Sequence, residues 1–170
     1  MRLRAFFAAS LVILLIPLLA WAAPQGKVVV AQGVDPTTLD PQNHQETPAA
    51  NLAVNIFDTL LERDQDLKIV PLLAESYRIV APTTWEFRLR KGTKFHNGEP
   101  LDAEAVKFSL ERLVDPKLKL RGTSPFAPLR NVEIVDSHTV RIHTKAPWPI
   151  LDKAMVFNQA SILPPKHYTE

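Results

Sequence analysis

His44 lies in one loop with Asp35, Asp40 and Glu46, the residue types that ligate a divalent metal. Their spacing matches no common ligand scheme, and a solvated acidic loop accounts for them as well. His138 and His143 are a second candidate pair. Residues five apart on a strand point to opposite faces, so one ion cannot take both, and His143 shares the polar face with Thr139 and Arg141. Asp64 and Asp66 are spaced like a carboxylate dyad, but Arg63-Asp64-Gln65-Asp66 reads as a turn between elements. No serine stands in a G-x-S-x-G elbow and no S-x-x-K pair is present. With no cysteine, the chain has no disulfide, no zinc-thiolate site and no thiol nucleophile. Five glycines among 170 residues supply neither a Walker loop nor G-x-G-x-x-G, so no nucleotide cofactor is implied. These residues outline a binding or interaction protein and not an enzyme.

Compartment is written at the N-terminus. Arg2 and Arg4 precede an apolar run from Phe6 to Leu19, and Ala20-Trp21-Ala22 is an A-x-A cleavage site. The run is short for a membrane span of ~20 apolar residues. No cysteine follows it for lipid attachment, so the expectation is a free periplasmic protein starting at Ala23 and keeping 148 of the 170 residues. Losing Arg2 and Arg4 leaves the remaining 18 basic residues balanced by 18 acidic ones, which excludes a nucleic-acid partner that needs a basic patch.

The elements that would position a site are short and punctuated by 15 prolines, against an all-helical bundle. Val28–Val30 reads as a buried strand, and Asp35–His44 as a polar loop. Thr47-Pro48 reads as the N-cap and N1 of a helix whose stripe Leu52, Ile56, Leu60 runs about four turns. Leu72–Ser76 reads as a helical turn. Trp85, Phe87 and Leu89 alternate with Glu86, Arg88 and Arg90, a half-buried strand with its charges on the wet face. Trp85, Phe87 and Phe95 are assigned to the core. Asn97-Gly98 is a tight turn. Asp102 caps a helix with the apolar face Val106, Leu110, Leu113, ended by Asp115-Pro116. Asn131–Val135 and His138–Thr144 form a hairpin across Asp136-Ser137. A short helix spans Leu151–Phe157, and Ile162–Pro165 begins a further connection. Phe126, in the loop Thr123–Pro128, either lines a pocket or covers the face of helix 103–114. The fold class is mixed α/β with a small sheet.

Six segments in order carry a resemblance. Leu39-Asp40-Pro41 is similar to an "LDP" motif and Ile56–Leu61 to "lfdtLl". Pro71–Tyr77 is similar to "P.LAeSW", Trp85–Gly98 to "ytFhLRkgvkFhdG", Ala103–Leu113 to "taeDVvfSleRl", and Ile162–Tyr168 to "ivPkhy". Together they resemble the peptide/nickel class of extracytoplasmic solute-binding proteins, the binding subunits of ABC importers. Two positions depart from the pattern: Ala105 stands where an acidic residue is usual, and Ala81-Pro82-Thr83-Thr84 replaces an Asp-Gly turn.

The resemblance implies a non-enzymatic protein that captures an oligopeptide, dipeptide or similar solute and delivers it to an inner-membrane permease. It implies two lobes, of which this chain resembles only the start. Residues 1–22 would be the leader and 23–170 an incomplete N-terminal lobe, with an inserted subdomain at roughly 48–160. It also places Gln45, Glu46 and Thr47, with Phe126, against the ligand. An exported interaction module without transport function and a small exported hydrolase are the rival classes; the hydrolase lacks a nucleophile–base set.

The leader reading is checked by the intact mass of the exported product. Cleavage between Ala22 and Ala23 is expected, and a retained N-terminus would mean an anchor.

Overall fold

Two aromatic residues and a leucine at strand period, Trp85, Phe87 and Leu89, set the centre of the fold, and all three are buried. They lie on β4 (Thr84–Leu89) of a four-stranded antiparallel sheet ordered β3-β4-β6-β5, with β3 Ala74–Ala81, β5 Leu129–Asp136 and β6 Thr139–Thr144. The computed structural model describes residues 29–169. Residues 1–22, expected to be a leader, and Val28 lie outside the described residues. The described residues divide into two units, 29–33 and 34–169. In the first, Val29 and Val30 are exposed and in no strand, contrary to the expected buried strand.

On the inner face Trp85 pairs in register with Ile79 and Ile142, and Phe87 with Tyr77 and Val140. Tyr77 stacks on both aromatics, with ring centroids 6.1 and 5.6 Å away. Helix α2 (Ala103–Leu113) lays Val106, Leu110 and Leu113 into the same core. It starts where expected, because the Asp102 carboxylate accepts the Ala105 amide at 3.1 Å.

The outer face carries one row of alternating charge: Arg78, Glu86, Arg141 and Glu133 stand at a single register level across all four strands. Arg78 and Arg141 reach Glu86 at 2.5 and 3.0 Å. Glu86 is therefore buried, not on the wet face as its alternation implied. Two guanidiniums from the flanking strands cover it. The Arg78 hydrogen bond foremost, then that of Arg141, holds its carboxyl below the usual range against the opposing effect of burial.

The first helix, α1 (Thr47–Ala53), is shorter than the stripe suggested, and its N-cap is Glu46, not Thr47. The Thr59 and Leu60 carbonyls accept the Leu73, Leu72 and Ala74 amides, which draws residues 59–60 out of the helix. The same bonds make 72–73 the approach to β3 and 74–76 its first residues, instead of a helical turn. Leu60 is buried, but Ile56 is exposed. A small hairpin of β1 (Leu61–Arg63) and β2 (Ile69–Pro71) follows α1. In its turn the Asp64 carboxylate accepts the Asp66 and Lys68 amides, which leaves Asp64 and Asp66 as turn residues. The later elements are a 3-10 turn Ser124–Phe126, helix α3 (Leu151–Ala154), ending three residues before the expected Phe157, a 3-10 turn Asn158–Ala160 and helix α4 (Pro165–Thr169).

The loop 35–44, read as polar, is partly interior. Gln42 is fully buried, and its amide donates to the carbonyls of Ser109 (2.9 Å) and Ser161 (3.3 Å). Arg112 donates to Gln42 Oε1 at 2.7 Å and pairs with Asp40 at 2.6 Å. Ser109 Oγ donates to the Ala105 carbonyl and accepts the Leu163 amide at 2.8 Å. Three distant stretches of chain meet there.

Gln42→Ala would strip two buried carbonyls and Arg112 of a partner at once. The expected loss is about 2–3 kcal/mol of stability, read as a lower urea midpoint with an unchanged slope.

Candidate functional site

Gln45, Glu46 and Thr47 end the loop and start α1, with Gln45 and Thr47 exposed and Glu46 half-buried. The Glu46 side chain turns back over the loop. Oε1 accepts the Thr37 amide at 3.2 Å and the Thr37 hydroxyl, and Oε2 accepts the Gln45 amide at 3.1 Å. These bonds, the Thr37 hydroxyl first, lower the Glu46 pKa to about 2.

A second segment meets the loop from the far side of the sequence. Gly122 has φ +74°, the left-handed region that suits glycine, and a Cβ there would lie 2.6 Å from the His44 carbonyl and 3.4 Å from Gln45 Cγ. The Arg121 amide donates to Asn43 Oδ1 at 3.1 Å. Gln159 donates to the His44 carbonyl (3.3 Å) and Asn158 to the Ala50 carbonyl (3.2 Å). The loop holding Phe126 thus abuts Gln45 and its neighbours through Gly122. Phe126 itself closes the Ser124–Phe126 turn and is fully buried in the core, so in this conformation it supports that loop from within.

Two of the acidic groups around His44 turn to other partners: Asp40 is engaged by Arg112 and Glu46 by Thr37. Among the described residues no group of three metal-ligating side chains converges. His44 is not solvated as the loop reading had it. It is 2% exposed and lines a cavity of about 10 Å³ with Thr38, Pro41, Ala49 and Phe57, because α1 folds back over it. His138 and His143 also part company: His143 bridges Glu133 (2.7 Å) and Thr84 (3.1 Å), and His138 contacts Ser137 (2.8 Å).

One concavity escaped sequence reasoning. A cleft of about 250 Å³ is lined by Phe57, Leu73, Phe95, Leu101, Ile162 and His167, among others. Phe95, expected in the core, packs against it and is half-buried at this wall. The lining comes from segments far apart in the chain, which leaves no local signal to find.

Residues 68–169 match the family model of the bacterial extracellular solute-binding proteins, family 5 Middle. The glutathione-binding protein GsiB of Pectobacterium atrosepticum is 31% identical over 151 residues, covering 88% of this chain and 29% of that protein. Among solved structures, MoaA from A. tumefaciens R10 in complex with mannopinic acid is 32% identical with a TM-score of 0.72, covering 79% of this chain and 28% of that one. Haemophilus influenzae OppA in complex with RPPGFSPFR is 28% identical with a TM-score of 0.73, covering 79% and 30%. The chain thus spans under a third of the length of the relatives it matches.

Gly122→Ala is expected to cost about 2 kcal/mol or more, since it adds left-handed strain to a backbone clash that no rotamer relieves. A lowered melting temperature with amide shifts concentrated at 43–47 would show it; a neutral substitution would mean that the 122 loop does not press on Gln45.

Proposed function

Because the chain belongs to family 5 of the bacterial extracellular solute-binding proteins, we propose that it is the solute-capturing part of a periplasmic ABC import system, not an enzyme. Its solute is a peptide or a compound of similar size and polarity, and it serves a permease in the inner membrane. The match over residues 68–169 carries this reading. Relatives whose names specify glutathione, mannopinic acid or RPPGFSPFR mark the range of solutes.

In domain terms, residues 1–22 are the leader, 23–170 part of an N-terminal lobe, and roughly 48–160 a subdomain inserted in it. The neck at 44–50 and 158–159 supports that division. An inserted unit must leave its host close to where it entered, and Gln159 and Asn158 bond back to His44 and Ala50. Gln45, Glu46 and Thr47 form the ligand-side wall at this neck, and Phe126 backs it from beneath. Closure of a second lobe over the wall is a hinge motion, stabilised by what the ligand gains only in the closed state. Backbone hydrogen bonding to an extended peptide would make selection tolerant of side chains.

A wall on one side buries only part of a ligand, so residues 23–170 alone should bind glutathione or a pool of di- to pentapeptides about a thousandfold more weakly than a two-sided site, at ~1.4 kcal/mol per decade. Calorimetry and amide-shift mapping together test this. Millimolar binding with shifts confined to 43–50 and 121–126 is expected. Micromolar or tighter binding would refute the half-site, and shifts elsewhere alone would refute the wall.

A further inference from the structure

We infer that Glu46 serves this wall as a positioning residue: its carboxylate closes the loop 37–46, and ligand contact falls to its neighbours Gln45 and Thr47. The inference rests on the reading of 45–47 as the ligand side.

The geometry is that of a clasp. Both carboxylate oxygens are taken from within the loop, Oε1 by the Thr37 amide and hydroxyl and Oε2 by the Gln45 amide. Glu46 is the N-cap of α1, yet its side chain caps nothing in the helix. It is directed instead across nine residues of chain to Thr37. Among the described residues no lysine, arginine or histidine forms an ion pair with it, so it does not serve a structural cation.

The rest of the loop explains why a clasp is needed. Its later part is fixed to the body: Asp40 and Gln42 by Arg112, Asn43 by the Arg121 amide, and the His44 carbonyl by Gln159 and the close approach of Gly122. Thr37 precedes those anchors, and the Glu46 carboxylate ties it to the start of α1. With Gln45's amide also drawn to Oε2, the backbone of residues 45–47 is held in one conformation while the Gln45 and Thr47 side chains stay exposed. Pre-ordering a recognition loop removes an entropy cost that binding would otherwise meet.

Hydrogen bonds account for the lowered pKa of about 2, with no charged neighbour among its causes. A carboxyl whose folded pKa is depressed contributes stability above its unfolded value near 4.5, and loses it as pH falls toward the folded value. The clasp should therefore hold at neutral and mildly acid pH and release between about pH 4.5 and 2.

The test is an NMR titration of the Glu46 side-chain carboxyl carbon from pH 7 to 2, with hydrogen exchange at the Gln45 amide, in the wild type, Thr37→Val and Thr37→Ser. The expected result is a wild-type midpoint far below the ordinary glutamate value, raised toward it in Thr37→Val and kept low in Thr37→Ser. Gln45 exchange should quicken about tenfold in Thr37→Val only, the change for ~1.4 kcal/mol of lost protection. An ordinary wild-type midpoint, or a Thr37→Val variant that moves neither readout, overturns the clasp. Millimolar glutathione is then added. Shifts at Gln45 and Thr47 with the Glu46 midpoint unmoved support positioning. A midpoint displaced by glutathione shows direct contact and overturns it. Silence at Gln45 and Thr47 with the clasp titration intact refutes the ligand wall and Glu46's role in it, leaving the clasp as a device of the fold.

Discussion

Ser109 is the point through which the other parts are held. Its hydroxyl accepts the Leu163 amide and donates back into α2, while its carbonyl accepts Gln42. A buried polar group without a partner costs about 1–3 kcal/mol, whereas a satisfied one adds little net stability but fixes geometry. Gln42 and Ser109 are both fully buried, so each arrangement of the loop, helix α2 and the 161–163 segment other than this one leaves several groups unsatisfied. The knot selects one docking of three segments. The apolar core under the sheet supplies the driving force but would tolerate sliding.

The sheet solves a related problem on its outer face. Glu86 sits on the central part of a four-stranded sheet, where a lone carboxylate would be poorly solvated. Arg78 and Arg141 flank it, and Glu133 balances Arg141 from the edge strand at 3.6 Å. Cross-strand pairs of opposite charge each contribute a few tenths of a kcal/mol to about one, and like charges in register would be destabilising. A row of alternating sign also fixes register, since a slip of one residue would set side chains of opposite faces against each other. The same slip would expose Trp85 and Phe87, so both faces penalise the same error.

What could be read in advance was local. The period of Trp85, Phe87 and Leu89, the Asp102 cap and the β5–β6 hairpin each depend on residues within a few positions, and all three stand in the structure, the hairpin turn falling one residue later than expected, at Ser137-His138. What could not be read depends on partners far along the chain. Glu86 is buried because Arg141, 55 positions on, reaches over it. Gln42 is interior because Ser109 and Ser161 lie 67 and 119 positions away. The length of α1 was misjudged for the same reason, since its stripe is continuous and only the amides of Leu72–Ala74 draw the chain away. At the candidate site, Gln45–Thr47 and Phe126 were named through resemblance. The approach of Gly122 to the His44 carbonyl, which brings the two segments together, has no trace in composition or period.

The neck has a mechanical consequence. Residues 44–50 and 158–159 run side by side and are joined by the Gln159–His44 and Asn158–Ala50 bonds. The chain leaving them on either side is tied again into helix α2, by Asp40 and Gln42 on one side and Leu163 on the other, so a pull on either end is shared between the two amide bonds and the Ser109 knot.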